Sequence, residues 1–119
     1  MEVESQKNKK YIYIKVLYLD YINRKATMGI VIGKKDKLGK GIGREAIGIL
    51  KNFVFNSLNL NRLDLEVLEH NIRGYKCYTA CGFKEEGRKR KAIFHKGSYK
   101  DLIFMSILKE EFLEWSTIL

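Results

Sequence analysis

The residues best placed to do chemistry begin with a loop of glycines set among cations. Gly39, Gly41 and Gly43 alternate with Lys40 and Ile42, and Lys34, Lys35, Lys37 and Arg44 surround them. Alternating glycines bend tightly and leave backbone amides bare to a ligand. A helix starting at Ile42 would add unpaired N–H groups and about half a positive charge, which makes the loop an anion site best suited to phosphate. A flexible basic connection is the plainer alternative. Residues 41–46 (GIGREA) also match the G-x-G-x-x-A variant of the dinucleotide fingerprint, with Glu66 about 20 residues further on. That match misleads, because in a dinucleotide fold the first glycine follows its strand at once, whereas residues 33–40 separate Ile32 from Gly41.

Other polar groups carry weaker signals. Cys77 and Cys81 stand four apart without the paired spacing of a structural zinc site, and His70 and His95 lie far apart in the chain, so no metal is expected. Glu69 and His70 end a strand-like segment and are general-base candidates, though solvated strand ends account for them better. The run Arg88-Lys89-Arg90-Lys91 invites a nucleic-acid reading. In a strand, however, alternate members point to opposite faces, which leaves two of four on one surface.

The elements that must position these groups follow from periodicity. Residues 11–19 (YIYIKVLYL) and 26–33 (ATMGIVIG) are apolar runs of strand length joined by a short polar turn, which predicts an antiparallel pair. From Ile42 to Leu58 the apolar residues recur at three- and four-residue steps, predicting a helix of about four turns. In residues 62–69, Leu63, Leu65 and Val67 alternate with Asp64 and Glu66, a half-buried strand that a crossover helix would set parallel to the strand before it. Asn71 is a good N-cap for a short helix over residues 71–81, with Gly82 as its left-handed cap. Strands near residues 88–95 and 100–108 flank a turn at Lys96-Gly97-Ser98-Tyr99.

The chain has 119 residues, 45% of them apolar and 12% aromatic, which describes one packed domain and not a disordered tail. Its 23 Lys and Arg against 14 Asp and Glu give a formal charge of +9, favouring anionic partners. The polar start and the lack of a stretch of about 18 apolar residues predict a cytoplasmic, reduced, soluble protein with no membrane partner.

In combination these segments resemble a known family. GIVIG-KKDK-LGKGIGREA, then LEVLEHNIRGYKCYTACGF, EEGR and KDLIFMSIL are similar to the GNAT superfamily of acyl-coenzyme A N-acyltransferases. Within it they look most like the branch of ribosomal-protein N-terminal and spermidine acetyltransferases. The resemblance spans residues 11–109. The loop has the family form R/Q-x-x-G-x-G/A, and an Asn–Tyr pair seven apart, Asn71 and Tyr78, precedes Gly82-Phe83. Leu38 stands where the family usually has Arg or Gln. The N-terminal segment that normally walls the acceptor site is short here.

The resemblance implies an α/β (α+β) domain of GNAT fold over residues 1–119: a mixed, mostly antiparallel sheet with a central splayed parallel pair and the N-terminal helices missing. Residues 1–10 would be a polar tail and residues 110–119 a tail or short helix. It implies acetyl-CoA as acetyl donor, with no metal. The backbone of Ile30, Val31 and Ile32 would hold the pantetheine arm, and the loop through Leu38, Gly39, Lys40, Gly41, Ile42, Gly43 and Arg44 the pyrophosphate. Asn71 would orient the arm, and Tyr78 would contact the sulfur and serve as general acid. The expected activity is transfer of acetyl to a primary amine of a small molecule or protein N-terminus. The alternatives are a degenerate CoA-binding domain without an acceptor site and, further off, a basic nucleic-acid-binding module; nucleic acid is disfavoured as a partner. The net positive charge argues against polyamine as acceptor, leaving ribosomal protein ends, amino sugars and other amines open. A homodimer is expected, to cover Phe112 and Trp115.

Overall fold

The computed structural model describes residues 2–7, 10–32 and 42–118. Strands β1 (Glu2–Lys7), β2 (Lys10–Asp20) and β3 (Lys25–Ile32) lead to helix α1 (Ile42–Asn52), which widens into a π-helical turn (Phe53–Ser57). Strand β4 (Arg62–Leu68), helix α2 (Ile72–Ala80), the hairpin β5 (Lys84–His95) and β6 (Ser98–Leu108), and helix α3 (Lys109–Ile118) follow. The six strands form one sheet in the order β1-β2-β3-β4-β6-β5. Every pairing is antiparallel except β3 with β4, the parallel pair that the crossover through α1 demands.

Residues 2–7, expected as part of a polar tail, form an edge strand with Glu2 opposite Lys15 and Lys7 opposite Lys10. Their sequence EVESQK has no apolar periodicity. What makes them a strand is the otherwise free hydrogen-bonding edge of β2.

The alternation read in the sequence sets the core. Leu63, Leu65 and Val67 of β4 and Ile103, Met105 and Ile107 of β6 are buried together with Ile14, Ala26 and Met28, beneath Ala46, Ile47, Leu50, Val54 and Phe55. Each fully buried side chain of this size stabilises the fold by about 1.5–3 kcal/mol. The π turn, closed by Leu58 N–H donating to Phe53 O at 2.9 Å, lets the consecutive Val54 and Phe55 both enter the core. Phe112 on α3 packs on Phe55, ring centroids 5.1 Å apart. It is therefore covered by its own chain and gives no reason for a second copy. Gly82 has φ +96 and ends α2, and Lys96 and Gly97, both at positive φ, make the tight β5–β6 turn.

Candidate active site

Strands β3 and β4 stay together for three registers only, Lys25 with Arg62, Ala26 with Leu63 and Thr27 with Asp64. Beyond Thr27 they part, although β3 remains paired to β2 as far as Ile32 and β4 to β6 as far as Leu68. A bulge lies at the level of the parting: Val16 opposes Met28, Tyr18 opposes Thr27, and Leu17 is the extra residue. A bulge bends its strand and raises the local twist, so β2 turns β3 away from β4 where the gap begins. The Leu17 side chain then lies across the sheet at Gly29, its Cδ1 2.9 Å from where a Cβ at that position would stand.

The gap is a cleft of about 480 Å³ lined by Thr27, Met28 and Gly29 on one side and Glu66, Val67 and Leu68 on the other, with Asn71 and Tyr78 of α2 at its end. Asn71 caps α2, its Oδ1 accepting from Gly74 N–H at 3.0 Å. That bond fixes the amide orientation and leaves Nδ2 without a partner among the described residues. Tyr78 is buried, with its ring edge-on to Phe83 at 6.2 Å. Burial, reinforced by Cys77 and Cys81, pushes its phenol up to about 12. The group therefore holds its proton throughout the physiological range and can give it to a developing anion.

Of the other residues singled out in the sequence, Ile30, Val31 and Ile32 form the end of β3, past the point where it leaves β4. Ile42, Gly43 and Arg44 form the first turn of α1. Leu38, Gly39, Lys40 and Gly41 lie outside the described residues. The two general-base candidates are engaged elsewhere. Glu69 Oε1 accepts from Asp101 N–H at 2.9 Å, and His70 stacks on His95 with ring centroids 4.4 Å apart and planes 18° apart. Desolvation, then His70, Lys96 and Lys100, hold the His95 imidazole below its ordinary value.

Two features escaped the sequence reading. The first is a row of carboxylates beside the cleft: Asp64, Glu66 and Glu86 share a depression of about 300 Å³ with Arg62 and Thr27. Arg62 donates to Asp64 Oδ1 at 2.6 Å and also pairs with Glu86. Glu66, exposed and lining the cleft as well, has no partner among the described residues. Its alternation with Leu65 and Val67 marked it as facing away from the core, but nothing local marked that face as a site. The second is Lys51, a buried lysine whose Nζ donates to Cys81 O at 2.6 Å, tying α1 to the C-cap of α2; burial lowers its pKa. It falls four residues after Ile47 and three before Val54, on the apolar stripe of α1, which is a visible signal. Cys77 is half-buried and Cys81 buried. A hydrogen bond from Cys81 draws the Cys77 thiol below its ordinary value, Arg44 adding to the effect against desolvation, and the Cys81 thiol is raised in turn. Among the described residues no group of three or more His, Cys, Asp or Glu could hold a metal ion, and no helix is long and apolar enough to cross a membrane.

A sheet that opens between two parallel strands, with a capping asparagine and a buried phenol at the opening and a helix N-terminus across the crossover, is a mixed α/β domain whose cleft lies at its one parallel pair. Residues 4–104 match the family model of the acetyltransferase (GNAT) domain, and the chain belongs to that family. It is 33% identical over 103 residues to a spermidine N(1)-acetyltransferase of Vibrio cholerae, covering 87% of this chain and 59% of the relative. It is 37% identical over 93 residues to a Bacillus subtilis protein provisionally named a ribosomal N-acetyltransferase, covering 78% and 50%. Among solved structures, spermidine N-acetyltransferase from Vibrio cholerae in complex with CoA and spermine superposes with a TM-score of 0.77 at 32% identity, covering 87% of this chain and 60% of that one. The chain thus spans about half the length of the curated relatives it matches.

Proposed function

We propose that this chain is an N-acetyltransferase domain that uses acetyl-CoA and acts on cationic primary amines of the polyamine type. The observation that carries the reading is the parting of β3 from β4 straight after Thr27, with Asn71 and Tyr78 lining the gap. The residues fit the donor: among the described residues the β3 edge past Thr27 has no strand partner on the β4 side, which suits the backbone of Ile30, Val31 and Ile32 to bonding an extended arm. The first turn of α1, with Gly43 and Arg44, presents N–H groups suited to pyrophosphate, and the glycine loop through Leu38, Gly39, Lys40 and Gly41 would complete the cradle.

Acetyl-CoA would supply a thioester whose acyl carbon the amine attacks once its ammonium has lost a proton to water; the C–S bond then breaks, and the proton shed by the acylated nitrogen restores the one that Tyr78 gives to the thiolate. Asn71 Nδ2 donates a hydrogen bond that orients the arm. Tyr78 keeps a proton on its hydroxyl for a departing thiolate, in a site where burial disfavours the phenolate. Glu66, with Asp64 and Glu86 close by, supplies the acceptor side: three carboxylates face one guanidinium there, so the local potential is negative although the chain as a whole is basic. Local charge, felt within a Debye length of about 8–10 Å, decides which amine enters. This reverses the argument drawn from net charge. The exposed apolar residues Leu17, Tyr18, Leu19, Tyr21 and Ile22 of β2 and its turn support a homodimer through that edge of the domain.

The test is calorimetric binding of acetyl-CoA followed by thiol release with spermidine, glucosamine and a peptide bearing a free N-terminus. Micromolar binding and fastest release with spermidine are expected, and Glu66→Gln should raise the KM for spermidine about tenfold while leaving acetyl-CoA affinity unchanged. Tight cofactor binding with no release from any amine would instead favour a CoA-binding domain without catalysis.

A further inference from the structure

We propose that the β5–β6 hairpin is a docking surface for single-stranded nucleic acid, with phosphates on its basic run and bases stacked on the exposed rings of Phe94 and Tyr99. Residues 87–100 contain six Lys and Arg and no Asp or Glu. Strict alternation would divide the run Arg88-Lys89-Arg90-Lys91 between two faces, but the strand is not regular there. Between Lys89, opposite Leu102, and Ile93, opposite Lys100, lies a bulge in which Lys91 takes φ 48, and such a bulge breaks the two-residue repeat.

The carboxylates of Asp101 and Glu69 are turned to the backbone, and of these cations only Arg88 feels their charge appreciably. Asp101 Oδ1 accepts from the Lys91 backbone N–H at 2.9 Å, and Glu69 Oε1 from the Asp101 backbone N–H at 2.9 Å. Arg88 reaches Glu85 at 3.4 Å, whereas Lys89, Arg90, Lys91, Lys96 and Lys100 make no ion pair among the described residues. The result is a concentrated positive strip on the outermost strand of the sheet, the electrostatic footprint that attracts a phosphate backbone.

Lysines on an edge strand also serve to prevent edge-to-edge association, and that explanation would suffice if the strip were only basic. It does not account for the rings. Phe94 and Tyr99, paired across the hairpin with centroids 5.1 Å apart at 62°, are 65% and 63% exposed. Bare aromatic faces at a strand edge promote the association that the cations would prevent. Cations tracking a backbone beside open π-faces are instead the combination that holds unpaired bases. A duplex keeps its bases stacked inside, so the rings select a single strand.

The experiment is fluorescence anisotropy of labelled dT12 with the full chain, alongside a 12-mer of the same length lacking bases, polyglutamate and phosphatidylglycerol vesicles. The expected result is micromolar binding of dT12 that weakens with added salt, each phosphate contact contributing about −0.7 to the log–log slope. Lys89→Glu combined with Arg90→Glu and Lys91→Glu should weaken dT12 at least tenfold. Phe94→Ala with Tyr99→Ala should weaken dT12 about tenfold while leaving the baseless strand unchanged, and Phe94→Tyr should restore the wild-type value; thermal melts establish that each variant is folded. Equal binding of dT12 and the baseless strand, binding of polyglutamate or vesicles at least as tight as dT12, or no binding at low salt would each overturn the proposal. None of these readouts depends on acetyl transfer.

Discussion

Asn71 and Gly74 are fitted to one another: Oδ1 of Asn71 accepts from Gly74 N–H at 3.0 Å, and a Cβ at position 74 would stand 2.5 Å from Asn71 Nδ2. The amide that caps α2 and faces the cleft therefore has its place because residue 74 has no side chain. Gly74→Ala sets two effects against each other. Alanine favours a helix by up to about 1 kcal/mol over glycine, while loss of the cap costs about 1 kcal/mol. The melting temperature should thus change little, whereas displacement of Nδ2 should weaken acetyl-CoA binding about tenfold by calorimetry, matching Asn71→Ala. A variant with wild-type affinity would show that the amide has no role in the cleft.

Tyr78→Phe removes the hydroxyl proposed above as proton donor and keeps the ring that packs on Phe83. Turnover should fall at least tenfold with acetyl-CoA affinity unchanged. The same variant should show itself in alkaline unfolding. The phenol titrates near 12 in the fold and about 10 when unfolded, so the native state binds more protons between those values. Its contribution, roughly 2–3 kcal/mol, is complete below pH 10 and lost as pH rises to 12. Denaturant titrations from pH 9.5 to 12 should accordingly fall less steeply for Tyr78→Phe than for wild type.

Local features of the fold were legible in the sequence. The alternation of Leu63, Leu65 and Val67, the cap at Asn71 and the reversal at Gly82 depend on residues within a few positions of one another, and the structure has each where its spacing puts it. Features that depend on a neighbouring strand were not. Residues 2–7 are a strand because β2 offers an edge, and Leu17 is a bulge because of its register against β3; neither fact is written in its own heptapeptide. The same holds at the site. Asn71 was legible as a cap and Tyr78 through its resemblance to the family's Asn–Tyr pair, but Glu66 gains meaning only when sheet order sets it between the cleft and the Asp64–Arg62–Glu86 cluster.

Lys51 joins the two helices at the site through its bond to Cys81 O. Lys51→Ala removes buried methylenes and strands a carbonyl, and should cost about 2–4 kcal/mol in urea unfolding. Lys51→Met restores the packing and isolates the charge. Because burial lowers the lysine pKa below 10.5, the unfolded chain binds more protons as pH approaches that value. Wild-type stability relative to Lys51→Met should then rise with pH from neutrality toward 10.5. A difference between the two that is flat with pH would mean the ammonium is solvated.

Cys77 and Cys81 are one helical turn apart, and the first is activated at the expense of the second. The Cys81 thiol donates to Cys77, lowering its pKa and raising that of Cys81, while Arg44 favours the Cys77 thiolate from α1. The half-buried thiol should therefore react with iodoacetamide at neutral pH well before the buried one, as peptide mapping would show. A thiolate with lowered pKa is intrinsically a weaker nucleophile, but below its ordinary pKa the gain in ionised fraction outweighs this loss. Cys81→Ala removes the donor, so Cys77 should then react several-fold more slowly at pH 7 and converge on the original rate above pH 9. An unchanged rate at pH 7 would assign the activation to Arg44, and Arg44→Gln would then be the variant that slows it.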